Sequence, residues 1–322
     1  MAARQPGLQD VQSNTTAFSV EGKTAIVTGA GSGINYCFAA LLLSRNCNVL
    51  IADLALRPEA QKLIDQYTSK PRAVFQKTDV TDWPQLERMF EVANKEFDSI
   101  DIVCPGAGIY DPHWTNFWHP PGSEKSKDGP DSGRYATLDI NVTHPIRTTQ
   151  LAIADFLNPK NGEKASPTNP KRVLIVSSIA GQNHNLNTPI YVAAKHAMNG
   201  FVRSLGTLDS TFGVRVNGVA PGLIKTPLWT DHPEKMTYID TEKDTWATPE
   251  EVAEAMLRLL EEAELGGGTI LEVGAKQTRV VDAFNDPGPS GAGHVVSNLQ
   301  QSYEEVYGWL AQDGWGKTKA LL

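Results

Sequence analysis

Three cysteines, Cys37, Cys47 and Cys104, are all that this 322-residue chain contains. An odd count without metal-ligand spacing argues against a disulfide framework or a zinc site, and their positions beside apolar segments suit reduced core residues. No apolar run is long enough to cross a membrane, and the polar stretch from Met1 to Thr16 lacks the apolar centre of a secretory signal. The C-terminal Lys319-Ala320-Leu321-Leu322 is no peroxisomal address, so a cytoplasmic location is expected. Basic residues are outnumbered, 29 against 37 acidic ones, and the net charge of −8 removes the basic face that nucleic-acid binding needs. Internal repeats and coiled-coil heptads are also lacking.

What is present is enough apolar residue, 40% of the chain, to bury the core of one large domain. Short apolar strands near Thr24, Asn48, Ala73, Asp101, Arg172, Val214 and Thr269 alternate with helical patterns. That alternation predicts an α/β fold: a Rossmann-like, doubly wound parallel sheet of seven strands with helices on both faces. The expected layout is a mobile segment over 1–20, a single catalytic domain over 21–274 and an extension over 275–322.

Two motifs carry chemistry. Thr24-Ala25-Ile26-Val27-Thr28 reads as a buried strand and runs into Gly29-Ala30-Gly31-Ser32-Gly33-Ile34-Asn35 and then the apolar run Phe38 to Leu43. Strand, glycine turn and helix in that order let a pyrophosphate approach backbone N–H groups at the positive end of a helix. Twenty residues beyond Gly33 a second strand ends in Asp53, placed to accept bonds from the ribose hydroxyls of an adenosine. A carboxylate there favours NAD, since a 2′-phosphate would meet like charge; Arg57 nearby keeps NADP as the alternative. The second motif is Tyr191-Val192-Ala193-Ala194-Lys195, with Ser178 thirteen residues upstream. Positions i and i+4 share a helix face, so the ammonium is expected to lower the phenol's pKa and make it an acid/base near neutral pH. Ser178 would hold the reacting oxygen. A Ser/His/Asp hydrolase built on Ser178 is disfavoured, because Val-Ser-Ser-Ile-Ala is no nucleophile elbow.

On these residues the chain resembles the short-chain dehydrogenase/reductase family from about Lys23 to about Val273. Gly29, Gly31, Ser32, Gly33 and Ile34 match its nucleotide turn, Asp79 and Val80 its adenine-contacting pair, and Asn141 its active-site asparagine. Ser178, Tyr191 and Lys195 complete the tetrad. Pro221, Gly222, Ile224 and Thr226 match the segment that the resemblance implies holds the nicotinamide carboxamide and the phosphates. Gly106, Ala107 and Gly108 match small residues beside the adenosine. The resemblance implies NAD as cofactor, with Lys195 bonding the nicotinamide ribose and Asn141 holding a proton-relaying water. It also implies a small-molecule substrate, and a homodimer or homotetramer built through the helices that carry Asn141 and Tyr191. More loosely, Gly268 to Val273 and Arg279 to Phe284 are similar to the 15-hydroxyprostaglandin dehydrogenase branch and to fungal dehydrogenases of secondary metabolism.

Two departures stand out. Asn35 occupies the place of the family's last turn glycine, and Cys104-Pro105-Gly106-Ala107-Gly108 stands where relatives read Asn-Asn-Ala-Gly. The sheet support that those asparagines give must come from elsewhere.

Three regions exceed the fold's needs. Asp111 to Tyr135 carries Trp114, Phe117, Trp118 and His119 and is either an aromatic lid or a surface loop. Asn158 to Pro170 reads as a solvated excursion. Beyond the Pro/Gly linker Asp286 to Gly293, the helical pattern Ser302 to Leu310 docks either on a neighbouring subunit or on its own domain. His144, His184 and His196 fit no metal pattern and read as hydrogen-bonded or solvent-facing, with His184 also a candidate pocket residue. Leu228, Trp229, Met236, Tyr238 and Trp246 after Thr226 suggest a bulky apolar ligand. The expected activity is hydride transfer between NAD and a bulky secondary alcohol or ketone, of the secondary-metabolite kind. The alternative is a non-redox lyase, cyclase or cofactor-binding scaffold on the same fold.

Overall fold

A computed structural model describes residues 18–231, 240, 242–283 and 299–315. Its strands are β1 (Thr24–Thr28), β2 (Asn48–Asp53), β3 (Ala73–Lys77), β4 (Ile102–Cys104), β5 (Lys171–Val176), β6 (Val214–Pro221), β7 (Ile270–Gly274) and β8 (Gln277–Val280). They form one sheet in the order β3-β2-β1-β4-β5-β6-β7-β8. The first seven are parallel, in the doubly wound α/β arrangement that the alternation predicts, and β8 adds an antiparallel edge.

That eighth strand is the departure from seven. It returns through a two-residue turn in which Lys276 has a φ of 58°, and all four of its residues are exposed. With neither an Asn-Gly turn nor an apolar alternation, nothing local announces it.

Period-2 alternation splits the core. In β1, Ala25 and Val27 face one layer while Ile26 faces the other; in β2, Val49 and Ile51 oppose Leu50 and Ala52 in the same way. Helices α1 (Gly33–Ser44) and α7 (Pro249–Glu261) cover the first face, with Phe38, Leu42, Met256 and Leu259 buried. A reciprocal cap between Thr248 and Glu251 starts α7. Helices α3 (Trp83–Glu96), α4 (His144–Leu157) and α5 (Pro189–Ser204) cover the second with Leu86, Met89, Phe156, Met198 and Val202. Between these, α2 (Pro58–Gln66) follows β2 and the short α6 (Leu208–Phe212) precedes β6.

Helix α8 (Leu299–Leu310) packs on its own domain: Leu310 is buried, Tyr307 meets Phe212 edge-on at 6.0 Å, and Asn158 bonds the backbone of Gly314 and Trp315. The linker 286–293 lies outside the described residues. Cys47 and Cys104 are buried and Cys37 half-buried, all three as free thiols.

The strand order reverses direction at β1 and β4, whose following loops therefore diverge and leave a crevice at the carboxyl edge. Both motifs of the sequence end there.

Candidate active site

The crevice begins at the end of β1. Gly29 turns with a φ of 73° and donates its N–H to Ala52 O at 2.8 Å; a Cβ on it would stand 2.7 Å from Ala107 Cα. Only glycine passes there. Gly31 N–H donates to Asp53 Oδ2 at 2.8 Å and Leu54 N–H to Oδ1 at 2.7 Å, so the carboxylate at the end of β2 ties down the glycine turn. Gly33, with a φ of 62°, opens α1. Arg57 is paired with Asp231.

Support for the strand end that lacks the family asparagines comes from β1 and α4. Ala107 N–H donates to Thr28 Oγ1 at 3.1 Å, Thr28 Oγ1 meets His144 Nε2 at 3.1 Å, and His144 Nδ1 meets Ile140 O at 3.1 Å. One proton arrangement satisfies all three: Nδ1–H donates to the carbonyl and Nε2 accepts from the hydroxyl. His144 is fully buried, and burial pushes its pKa down to about 4, so the ring is neutral as this chain of bonds requires. Nothing in the sequence tied His144 to Thr28, 116 positions away.

Asn141 lies in a π-helical turn, Asp139–Thr143, ahead of α4. Its amide brackets one residue, Nδ2 donating to Ile109 O at 2.8 Å and Oδ1 accepting from Ile109 N–H at 2.9 Å. Gly108 sits close below, where a Cβ would come within 3.1 Å of Asn141 Oδ1.

Ser178 caps the single turn Ile179–Gly181, its Oγ accepting from Ala180 N–H at 3.1 Å. Tyr191 and Lys195 share the inward face of α5, and Lys195 Nζ donates to Val176 O at 2.8 Å. The sequence expectation for Tyr191 needs correction. Burial raises its pKa to about 12 despite the lowering hydrogen bond from Ser178, with Tyr110 and Asp111 raising it further. Burial also lowers Lys195 to about 8. Desolvation thus opposes charge on both groups.

One cavity of about 550 Å³ joins the two motifs. Gly29, Ser32, Gly33, Ile34 and Asp53 line one end, followed by Asp79, Val80, Gly106, Ala107 and Gly108. Ser178, Tyr191, Lys195, Pro221, Gly222 and Ile224 line the other, and Thr226 lies against the glycine turn, its Cβ 3.7 Å from where a Cβ on Gly33 would stand. Gly31 and Asn141 are absent from its wall and bond instead to Asp53 and Ile109, which line it. Tyr110, which the sequence reading missed, packs edge-on against Tyr191 at 4.8 Å and tilts against Trp229 at 5.4 Å, and Trp246 meets Trp229 at 5.9 Å. Thr188, Asn183 and Asn185 line the wall as well, whereas His184 and His196 are exposed and His184 takes no part in it. The rings of Trp114, Phe117, Trp118 and His119 also stay out of the cavity; Trp118 Nε1 instead donates to Leu186 O at 2.8 Å, beside the mouth. Met236 and Tyr238 lie outside the described residues. Among those residues no cluster of three potential metal ligands occurs, and no helix is long and apolar enough to cross a membrane.

Comparison with known proteins agrees with this geometry. The family model for short chain dehydrogenases matches residues 23–237. The chain is 28% identical over 263 residues to 15-hydroxyprostaglandin dehydrogenase [NAD(+)] of Rattus norvegicus, covering 77% of this chain and 90% of that one. It is 31% identical over 264 residues to cis-4-hydroxycyclohexanecarboxylate dehydrogenase of Sinomonas cyclohexanicum, covering 80% and 97%. In fold it is similar to the 3-ketoacyl-(acyl-carrier-protein) reductase of Brucella melitensis complexed with NADH, with a TM-score of 0.63 and 22% identity over 79% of this chain and 98% of that one. A glycine turn, a serine, and a tyrosine and lysine one helical turn apart thus share a single cavity, and the chain belongs to the short chain dehydrogenase family of oxidoreductases.

Proposed function

We propose that the chain transfers a hydride between NAD and a bulky apolar secondary alcohol or its ketone. The observation that carries this reading is the single cavity holding Tyr191, Ser178 and Lys195 at one end and the glycine turn with Asp53 at the other. The residues fit a dinucleotide: Gly29 and Gly33 line the cavity next to a helix N-terminus, and the turn packs so tightly on Ala107, Asp53 and Ala55 that a Cβ at 29 or 31 would collide with them. When bound, the nicotinamide supplies the hydride acceptor.

In this reading the N–H groups from Gly29 to Ile34 hold the pyrophosphate, Asp53 the adenosine ribose, and Asp79 and Val80 the adenine. Gly106, Ala107 and Gly108 pass beside the adenosine, while Pro221, Gly222, Ile224 and Thr226 hold the nicotinamide carboxamide and the phosphates. Tyr191 passes its phenol proton on through Lys195 as it takes the carbinol proton and the C–H bond breaks, and Ser178 orients the carbinol oxygen. Lys195 holds the nicotinamide ribose and passes the proton on, and Asn141 fixes the relay beside it. The carboxylate of Asp53 disfavours a 2′-phosphate, and Arg57, engaged by Asp231, is not left to offset it. That supports NAD over NADP, as does the NAD(+) in the name of the prostaglandin-oxidising relative. Tyr110, Leu228 and Trp229 on the wall support a bulky apolar substrate, which we place in the secondary-metabolite class. The proposal includes residues 21–274 as the catalytic unit, 275–322 as its extension, and a homo-oligomer formed through α4 and α5.

Titration with NADH and NADPH, followed by energy transfer from tryptophan to the reduced nicotinamide, tests the cofactor reading; binding of neither removes the redox assignment. A screen of secondary alcohols with NAD then tests the reaction, and binding without turnover points to a non-redox scaffold. Tyr191→Phe is expected to lose about 100- to 10,000-fold in turnover. A Phe variant with near-normal turnover refutes the role of Tyr191.

A further inference from the structure

Asn35 and Gly106 lie 71 positions apart in sequence, yet a Cβ placed on Gly106 would fall 2.4 Å from Asn35 Oδ1, 2.6 Å from Nδ2 and 2.7 Å from Cγ. No real side chain tolerates such distances, so the Asn35 carboxamide occupies the volume that a side chain at 106 would take. Backbone conformation does not explain the glycine. Gly106 has no left-handed φ, unlike Gly29 and Gly33, and any residue can adopt its backbone. Asn35 stands in the first turn of α1, where a glycine is not needed either. The pair is therefore coupled through space alone.

Both residues line the cavity, Asn35 from the helix behind the glycine turn and Gly106 from the loop after β4. Asn35 is buried, and among the described residues its Oδ1 has no hydrogen-bond partner. Its contribution is its volume, wedged between the two loops that diverge from the switch point.

We infer that Asn35 is a positioning residue for the dinucleotide: it sets the separation between the turn at 29–34 and the segment at 106–108 by filling from α1 the volume beside Gly106. The inference rests on the proposed dinucleotide site.

The test is a double-mutant cycle over wild type, Asn35→Gly, Gly106→Asn and the exchanged double variant, with Gly106→Ala as a milder probe should Gly106→Asn fail to fold. The readouts are the dissociation constant for NADH and the thermal midpoint. Overpacking is expected to make Gly106→Asn or Gly106→Ala weaken NADH binding by about tenfold or more in the Asn35 background. In the Asn35→Gly background the same substitution is expected to restore binding to within about threefold of wild type. Equal effects in both backgrounds overturn the coupling. Coupling seen in the thermal midpoint but not in NADH binding overturns the positioning role and leaves a packing contact. Wild-type protein that binds no NADH overturns the dinucleotide reading itself, a failure distinct from additive variants of a protein that binds.

Discussion

His144 makes the strand end next to the candidate active site sensitive to acid. Its ring is fully buried, and burial first, then the Lys195 ammonium, hold its pKa near 4 against an ordinary value of 6.5. Between those two values the unfolded chain binds a proton that the folded chain refuses, so stability falls as pH drops from 6.5 toward 4. At about 1.36 kcal/mol per pH unit the whole interval is worth about 3 kcal/mol, of which about 2 kcal/mol is lost by about pH 5. His144→Asn removes the titration while keeping an amide donor near Ile140 O. The variant is expected to be less stable at pH 7, because Thr28 loses its acceptor, but to lose about 2 kcal/mol less than wild type on going to about pH 5. Urea unfolding at the two pH values measures this. Carboxylates titrate in both proteins and cancel in the comparison. Equal losses in wild type and variant would refute the reasoning, since they would mean that the buried imidazole takes up its proton in the folded state as readily as in water.

The other predictions concern the same crevice. Gly29→Ala combines a left-handed residue with a Cβ 2.7 Å from Ala107 Cα; a loss of at least about 1–2 kcal/mol and of NADH binding is expected, and an unchanged thermal midpoint with intact binding contradicts the geometry. Lys195 gives up its proton as pH rises past about 8, so kcat/KM for alcohol oxidation should climb with pH and level off above that value; a flat profile from about pH 6.5 to 9.5 argues against it. Asp53→Ser removes the carboxylate that disfavours a 2′-phosphate and should narrow the preference for NADH over NADPH in the fluorescence titration.

Much of the site was legible because its signals are local. The glycine turn and Asp53 lie within one strand-helix-strand unit and Tyr191 and Lys195 within one helical turn, where backbone geometry alone decides what faces what. The parallel sheet followed from short apolar strands alternating with helices. Less legible were β8, whose exposed residues carry no hydrophobic pattern, and Tyr110, which meets Tyr191 and Trp229 only across distant segments. The fate of the tail was open between two surfaces until Leu310, Tyr307 and Trp315 were seen packed on their own domain.

The sequence by itself thus determined the α/β fold, its family, and the residues that meet at the carboxyl edge. Only the tertiary structure decided the direction in which their pKa values shift and what supports the strand end at Ala107. Burial pushes Tyr191 up and Lys195 down, reversing the expectation from spacing, because desolvation sums over every neighbour that excludes water and no two positions in a sequence encode it. For the same reason the bonds from Ala107 through Thr28 to His144, and the volume that Asn35 takes above Gly106, exist only once distant segments are brought together.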